Sequence, residues 1–413
     1  MMLQKWNAFC LCGEADMFPA GSVPVEEPFA PLVFLIRREG LTGRGMFAIQ
    51  SLGELYESNS VECLLPCRQT APEDQQKLEG FVLSHGASVL NTAFSNCFSY
   101  LRAYADGAKK KAYRVTLVGL GDVGGTVLTG LKLLGRELSE IAIYDPNEAL
   151  CARYEMELNQ VLRERDGQRL PKVTVCPEER LFDCDLFVFT ASRGVPRLDS
   201  GVNDVRMAQY SANRAMLAAY ARKAREAHFS GLFCQVSDPV DQLARAVFLE
   251  SNRDKTGKVD YAGLLPEQVQ GFGLGVMAAR AAYFAEKEGV DFTQGRVYGP
   301  HGQGLVVANH RGDEYDEALS LRLTELTRGA NLRVRDLGFK PYIAPGLSSA
   351  AISLLQLLRG EDHFGAIPLD GVYFGCRSRF TPRGLAVSRE ELNPALLDRL
   401  ARTHQSLRGL AGL

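Results

Sequence analysis

The feature that most constrains this chain is a short apolar run, Arg114 to Gly119 (RVTLVG), that feeds directly into Gly119-Leu120-Gly121-Asp122-Val123-Gly124. The run predicts a buried strand, and the pattern from Gly124 to Leu134 predicts a helix that starts where the strand stops. In a G-x-G-x-x-G turn the first glycine permits the bend, the second lets an anion approach the backbone, and the third lets helix and strand pack closely. The helix N-terminus then presents unpaired N–H groups to that anion. The next strand, Ile141 to Tyr144, ends in Asp145, 26 residues after Gly119. A carboxylate there accepts hydrogen bonds from both hydroxyls of a ribose and repels a 2′-phosphate, so the pattern predicts NAD over NADP.

The alternation continues with strands at Val173 to Val175, Asp185 to Thr190 and Gly231 to Val236, and helices at Asn147 to Leu162 and Val205 to Ala227. It predicts an α/β fold, a doubly wound parallel sheet with helices on both faces. After about Asn252 the texture changes to long helices, Ala278 to Glu288 and Glu314 to Arg328, with short strands at Arg296 to Tyr298 and Gly304 to Val307. Before the basic run Lys109-Lys110-Lys111, Pro31 to Arg38, Gly45 to Ile49 and Val61 to Leu65 read as strands, and Pro72 to Ala105 as one or two helices broken near His85-Gly86. The expected division is a small α+β N-terminal extension of unassigned role (1–112), a dinucleotide-binding domain (113–252) and an α/β (α+β) catalytic domain (253–413). The apolar strands of the extension are expected to pack against the body or a second subunit.

Composition narrows the partners. Lys plus Arg is 47 and Asp plus Glu 49, a net charge of -2, which gives no long-range attraction for nucleic acid or an anionic membrane. A small-molecule substrate is expected instead. No apolar run approaches the ~18 residues that span a bilayer, and Met1 to Trp6 lacks the apolar core and cleavage site of a leader, so a cytoplasmic location is expected. Ten cysteines are too sparse for a disulfide scaffold. Cys10-x-Cys12 and Cys63-x3-Cys67 lack the two-residue gap usual in zinc pairs, so buried thiols and no metal are expected.

His301 lies in Tyr298-Gly299-Pro300-His301-Gly302-Gln303-Gly304, a glycine-rich turn that can expose an imidazole for proton transfer. The order of motifs then resembles the lactate/malate dehydrogenase family over roughly 300 residues: VGLGDVGG (118–125), IAIYD (141–145), TAS (190–192), VSDPVD (236–241), GPHG (299–302) and APGLSSAAISLL (344–355). The resemblance implies a Rossmann domain followed by a catalytic domain, NAD as hydride carrier, and a homo-oligomer, dimer or tetramer. It implies cofactor contacts at Gly119, Gly121, Asp122, Val123, Gly124, Asp145, Thr190, Ala191, Ser192 and Val236. His301 matches the family's proton-transferring histidine. Arg206, seven residues before Asn213, matches the arginine that polarises the substrate carbonyl. Arg197 falls in the loop that helps to select the substrate, which looks about five residues longer here.

Three departures accompany these matches. Asp238 stands where the family has the asparagine of V-S-N-P-V-D, next to the reacting oxygen. The family's L-D-x-x-R is replaced within Gly271 to Arg280, where an ungapped comparison sets Val276 at the aspartate and Ala279 at the arginine. A shift of one residue recovers Arg280 for the substrate carboxylate but puts Met277 at the aspartate. The carboxylate that orients the histidine is lost either way, and Asp238 is expected to take over as the partner of His301. Hydride transfer at a small 2-hydroxy or 2-oxo acid, or a related secondary alcohol, is the expected activity. A dinucleotide-binding protein with impaired catalysis is the alternative.

Overall fold

The computed structural model describes residues 1–107, 110–162, 170–193 and 205–413, without the side chains of 205–209. The first stretch contributes β1 (Met2–Trp6), β2 (Phe9–Gly13), β3 (Val23–Pro24), β4 (Leu32–Ile36), β5 (Met46–Ile49) and β6 (Ala87–Asn91). Next come β7 (Tyr113–Val118), β8 (Leu138–Tyr144), β9 (Lys172–Val175), β10 (Leu186–Phe189), β11 (Leu232–Gln235) and β12 (Val269–Gly271). The last stretch holds the short hairpin β13 (Arg296–Tyr298) and β14 (Val306–Ala308), then the meander β15 (His363–Leu369), β16 (Val372–Thr381) and β17 (Gly384–Val387).

β7 to β12 pair in parallel in the order β9-β8-β7-β10-β11-β12, the doubly wound order in which the strand direction of travel reverses between β7 and β10. Their core residues are buried on both sides, with Leu117, Ile141, Phe187, Val188 and Phe233 all fully inaccessible. Asn147 starts the helix Glu148–Asn159 by accepting the Leu150 N–H at 3.3 Å. β15 adds to β12 antiparallel, β16 and β17 follow, and β5 joins β17 in parallel through Phe47 and Leu385. β6, β4, β2, β1 and β3 complete a fifteen-stranded sheet, so the three stretches share one sheet. No helix among the described residues is long and apolar enough to cross a membrane.

The N-terminal stretch differs from its sequence pattern at two places. Val61–Leu64 is a short 3-10 helix and not a strand: Ser60 Oγ accepts the Glu62 N–H, and Val61, Cys63 and Leu64 pack in one core with Leu396 and Leu400 of the C-terminal helix. Within the span read as helical, Gly86 (φ +66°) ends the helix Gln76–His85, and Ala87–Asn91 is a strand buried along its whole length. A short buried segment lacks the periodicity that would separate strand from helix. The extension is anchored through Glu267, fully buried, whose carboxylate accepts the N–H groups of Gly45 (2.8 Å) and Met46 (3.0 Å) and pairs with Arg44. All ten cysteines are free; burial pushes the Cys12 thiol up to about 12 and that of Cys63 up to about 11.

His363 on β15 gives the fold a pH dependence. It is 1% exposed, stacks on Phe272, and places Nε2 3.2 Å from Gln270 Oε1. Burial lowers its pKa from the ordinary 6.5 to about 4. The unfolded chain therefore takes up the proton first, so the contribution is complete above pH 6.5 and is lost as pH falls toward 4. Between pH 7 and 4.5 urea titrations should show wild type losing about 2 to 3 kcal/mol more than His363→Phe. Parallel pH profiles for the two proteins would mean that the buried ring is protonated in the fold.

Candidate active site

The ends of β7, β10 and β11 form the crevice where strand travel reverses. Gly119 has φ +93°, and a Cβ added to it would lie 2.5 Å from Ala191 N. One on Gly124 would lie 1.9 Å from Gly119 O, whereas one on Gly121 would meet nothing within 4 Å. The first and last glycines thus serve the turn, and the middle one leaves an open approach to the N-terminus of the helix Asp122–Leu134. Asp122, the first residue of that helix, pairs with Lys340 at 3.0 Å, which offsets a negative charge where an anion would enter. Val123 packs beside the main core. Asp145 is half-buried at the end of β8 and accepts Leu120 N–H and Asn147 N–H, each at 2.9 Å and each on a different oxygen. Each oxygen retains acceptor capacity toward a ribose.

The other cofactor candidates line the same crevice. Thr190 Oγ1 lies 2.6 Å from Gly119 O, and Ala191 O accepts Ser237 Oγ–H at 2.6 Å. Val236 donates its N–H to Phe189 O at 3.0 Å. Asn213 is fully buried and joins the loops: it donates to Ser192 Oγ (3.3 Å) and Asp238 O (2.8 Å) and accepts the Arg193 N–H (3.0 Å). The sequence reading used Asn213 only to mark spacing. Arg197 lies outside the described residues. Arg206 is in the helix Val205–Glu226, but its side chain is outside the described part.

His301 lies in the turn between β13 and β14. Its side chain is 13% exposed, and Nε2 lies 3.7 Å from Oδ1 of Asp238, which is 56% exposed. That separation allows charge attraction but exceeds a hydrogen bond. Nδ1 is buried and has no hydrogen-bond partner among the described residues. The backbone is fixed instead, because the His301 N–H donates to Asp241 Oδ2 at 2.8 Å. Burial pushes the Asp241 carboxyl up to about 6, with that N–H and the charge of His301 pulling it back. Gly273 makes room for the ring, since a Cβ there would lie 2.8 Å from His301 Cβ and Cγ. Gly273 and Asp241 lie inside the segments Gly271 to Arg280 and VSDPVD, but nothing in the local sequence marks either as a support of His301.

Both alignments left open in the sequence fall on the helix Leu274–Lys287. Val276 and Met277 are both buried among apolar side chains on the helix Leu274–Lys287, so neither alignment supplies an acceptor for Nδ1. Arg280, on the same helix, is within electrostatic reach of Asp238, while burial depresses its own pKa. Nη2 donates to Asn331 Oδ1, and Nη1 is buried without a partner among the described residues. Asp238 is therefore within electrostatic reach of both His301 and Arg280.

The strand order and the glycine turn at its point of reversal define a doubly wound α/β fold with a candidate dinucleotide site. The chain is 28% identical over 290 residues to an L-lactate dehydrogenase of Treponema denticola, covering 64% of this chain and 84% of that protein. It is 28% identical over 197 residues to a malate dehydrogenase of Sulfurimonas denitrificans, covering 47% of this chain and 56% of that protein. Among solved structures, a lactate dehydrogenase from a deep-sea metagenome aligns with a TM-score of 0.59 at 20% identity, over 73% of this chain and 98% of that one. The malate dehydrogenase of Archaeoglobus fulgidus, solved with NADH, aligns with a TM-score of 0.59 at 20% identity over 72% and 97%. No protein-family model matches the chain. The chain is thus similar in sequence to lactate and malate dehydrogenases and shares their fold.

Proposed function

We propose that this protein is an NAD(H)-dependent oxidoreductase acting at the reacting carbon of a small 2-hydroxy or 2-oxo acid, or a related secondary alcohol. The observation that carries the reading is the approach of His301 Nε2 to within 3.7 Å of Asp238, whose carbonyl Asn213 ties to Ser192 on the loop that follows β10, beside the turn of Gly119, Gly121 and Gly124. The residues fit the cofactor: the space in front of Gly121 admits a pyrophosphate, and Asp145 can accept from a ribose. When bound, the nicotinamide supplies or accepts the hydride. His301 exchanges the proton at the substrate oxygen, Arg280 grips the carboxylate, and Arg206 stabilises charge on the carbonyl oxygen. The division at 112/113 and 252/253, a cytoplasmic location and a dimer or tetramer belong to the same proposal.

A second reading, a dinucleotide-binding protein with impaired catalysis, is favoured by the unpartnered Nδ1 of His301. One experiment separates the two: NADH binding by fluorescence beside NADH oxidation with a panel of 2-oxo and 2-imino acids. Binding with turnover supports the enzyme, and binding without turnover supports the second reading. NADH should bind at least about tenfold more tightly than NADPH, and Asp145→Ala should narrow that gap by removing the ribose acceptor and the repulsion of phosphate. Equal binding of the two cofactors by the unmutated protein would reject the role given to Asp145.

A further inference from the structure

We propose that the reacting group taken by this site is a cationic carbon–nitrogen double bond, the iminium of a small 2-imino acid, reduced to the 2-amino acid. The inference rests on the dehydrogenase reading and names its substrate class.

Three observations converge on it. First, the half-exposed Asp238 carboxylate stands 3.7 Å from His301 Nε2, so a heteroatom that exchanges a proton with that nitrogen also lies beside the carboxylate. A 2-oxo acid would develop negative charge on its oxygen against that carboxylate, a like-charge contact that costs more in a desolvated site. An iminium offers the opposite: a positive charge and an N–H that Asp238 can accept.

Second, the buried Nδ1 of His301 has no acceptor among the described residues, and Val276 and Met277 leave none at the helix that packs behind it. A buried N–H without an acceptor is costly, so the ring is poorly supported as a proton donor that must pass through the doubly protonated state. An iminium already carries the proton that a ketone must acquire during reduction, and the missing partner is then no handicap. Third, Arg280, within electrostatic reach of Asp238, keeps a buried Nη1 that has no partner among the described residues, a donor suited to the carboxylate on the neighbouring carbon.

The step balances. A C–H bond forms at C2 with a hydride from the reduced nicotinamide, which is oxidised. The C=N π pair becomes the nitrogen lone pair, and the resulting amine takes a proton from water to become an ammonium that Asp238 holds.

The test compares L- and D-alanine with L- and D-lactate, which differ only in ammonium against hydroxyl, by calorimetry in the presence of NADH so that neither reacts. It is run beside NADH oxidation by Δ1-pyrroline-2-carboxylate and by pyruvate. An alanine enantiomer should bind at least about tenfold more tightly than either lactate, the imine should be reduced at least about tenfold faster than pyruvate, and Asp238→Asn should reverse the binding order. Asp238 is half-exposed, so this variant should fold. Lactate binding as well as alanine, or pyruvate reduced faster than the imine, overturns the substrate class and leaves the dehydrogenase reading intact. NADH bound with no turnover of either compound overturns both, as does failure to bind NADH.

Discussion

Gly124→Ala is expected to abolish measurable NADH binding and to destabilise the fold by about 3 kcal/mol or more. The added Cβ would sit 1.9 Å from Gly119 O and 2.7 Å from Thr190 Oγ1. The first of these is backbone within the turn itself, so relief requires moving the strand away from the helix, and overpacking in a rigid site costs 1–3 kcal/mol or more. Moving that turn also displaces Leu120, whose N–H donates to Asp145 at 2.9 Å, so the ribose acceptor is lost with the pyrophosphate cradle. Gly121→Ala is the control, because nothing lies within 4 Å of its Cβ. It should melt with the wild type but bind NADH weakly, since its methyl occupies the approach. Thermal unfolding and NADH fluorescence read both effects. A Gly124→Ala protein with wild-type melting and affinity would refute the assignment, and unchanged affinity in Gly121→Ala would place the pyrophosphate elsewhere.

Removal of residues 1–112 is expected to yield a protein that aggregates or stays unfolded. Phe9, Leu11, Val33, Leu35, Met46, Leu90 and Phe94 are buried in a single core with Phe248, Leu265, Val269 and Tyr373 of the body. Full burial of such side chains contributes about 1.5–3 kcal/mol each, a total beyond the net stability of ordinary domains. Truncation would also expose the edge of β17 that β5 now covers, and strip Arg389 of its pairs with Glu54 and Glu57. Light scattering and thermal melting check the outcome. A monodisperse truncated chain with unchanged melting would make the extension a dispensable appendage. A smaller lesson in the same contact comes from Glu267, whose carboxylate holds two N–H groups and one guanidinium of the extension in a fully buried place.

Much of the site was legible because its signals are local. The glycine turn, Asp145 at the next strand end and His301 in its own glycine-rich turn each depend on backbone geometry spanning a few residues, and such geometry restricts which residues can stand there. The order of parallel strands followed from the alternation of strand and helix for the same reason. Short segments of the extension were less legible. Val61–Leu64 and Ala87–Asn91 carry too few residues for a period to declare itself, and their conformation is fixed by the C-terminal helix and by β4 and β5.

Other parts of the site rest on contacts between residues far apart in the chain. The sequence could not choose between Ala279 and Arg280; the packing of the helix Leu274–Lys287 put Arg280 within reach of Asp238. Gly273 clears a space for a ring 28 residues onward, Asp241 holds a backbone N–H 60 residues away, and Asn213 ties together loops after β10 and β11. The glycine turn, Asp145 and the glycine-rich turn of His301 were readable in the chain because each is encoded in a few contiguous residues that restrict the backbone. Only the folded chain brings Asp238 to the Nε2 side of His301 and leaves Nδ1 unpartnered among the described residues. Both depend on how two separately patterned halves close on each other, and burial in that contact sets the cost of every charge left there.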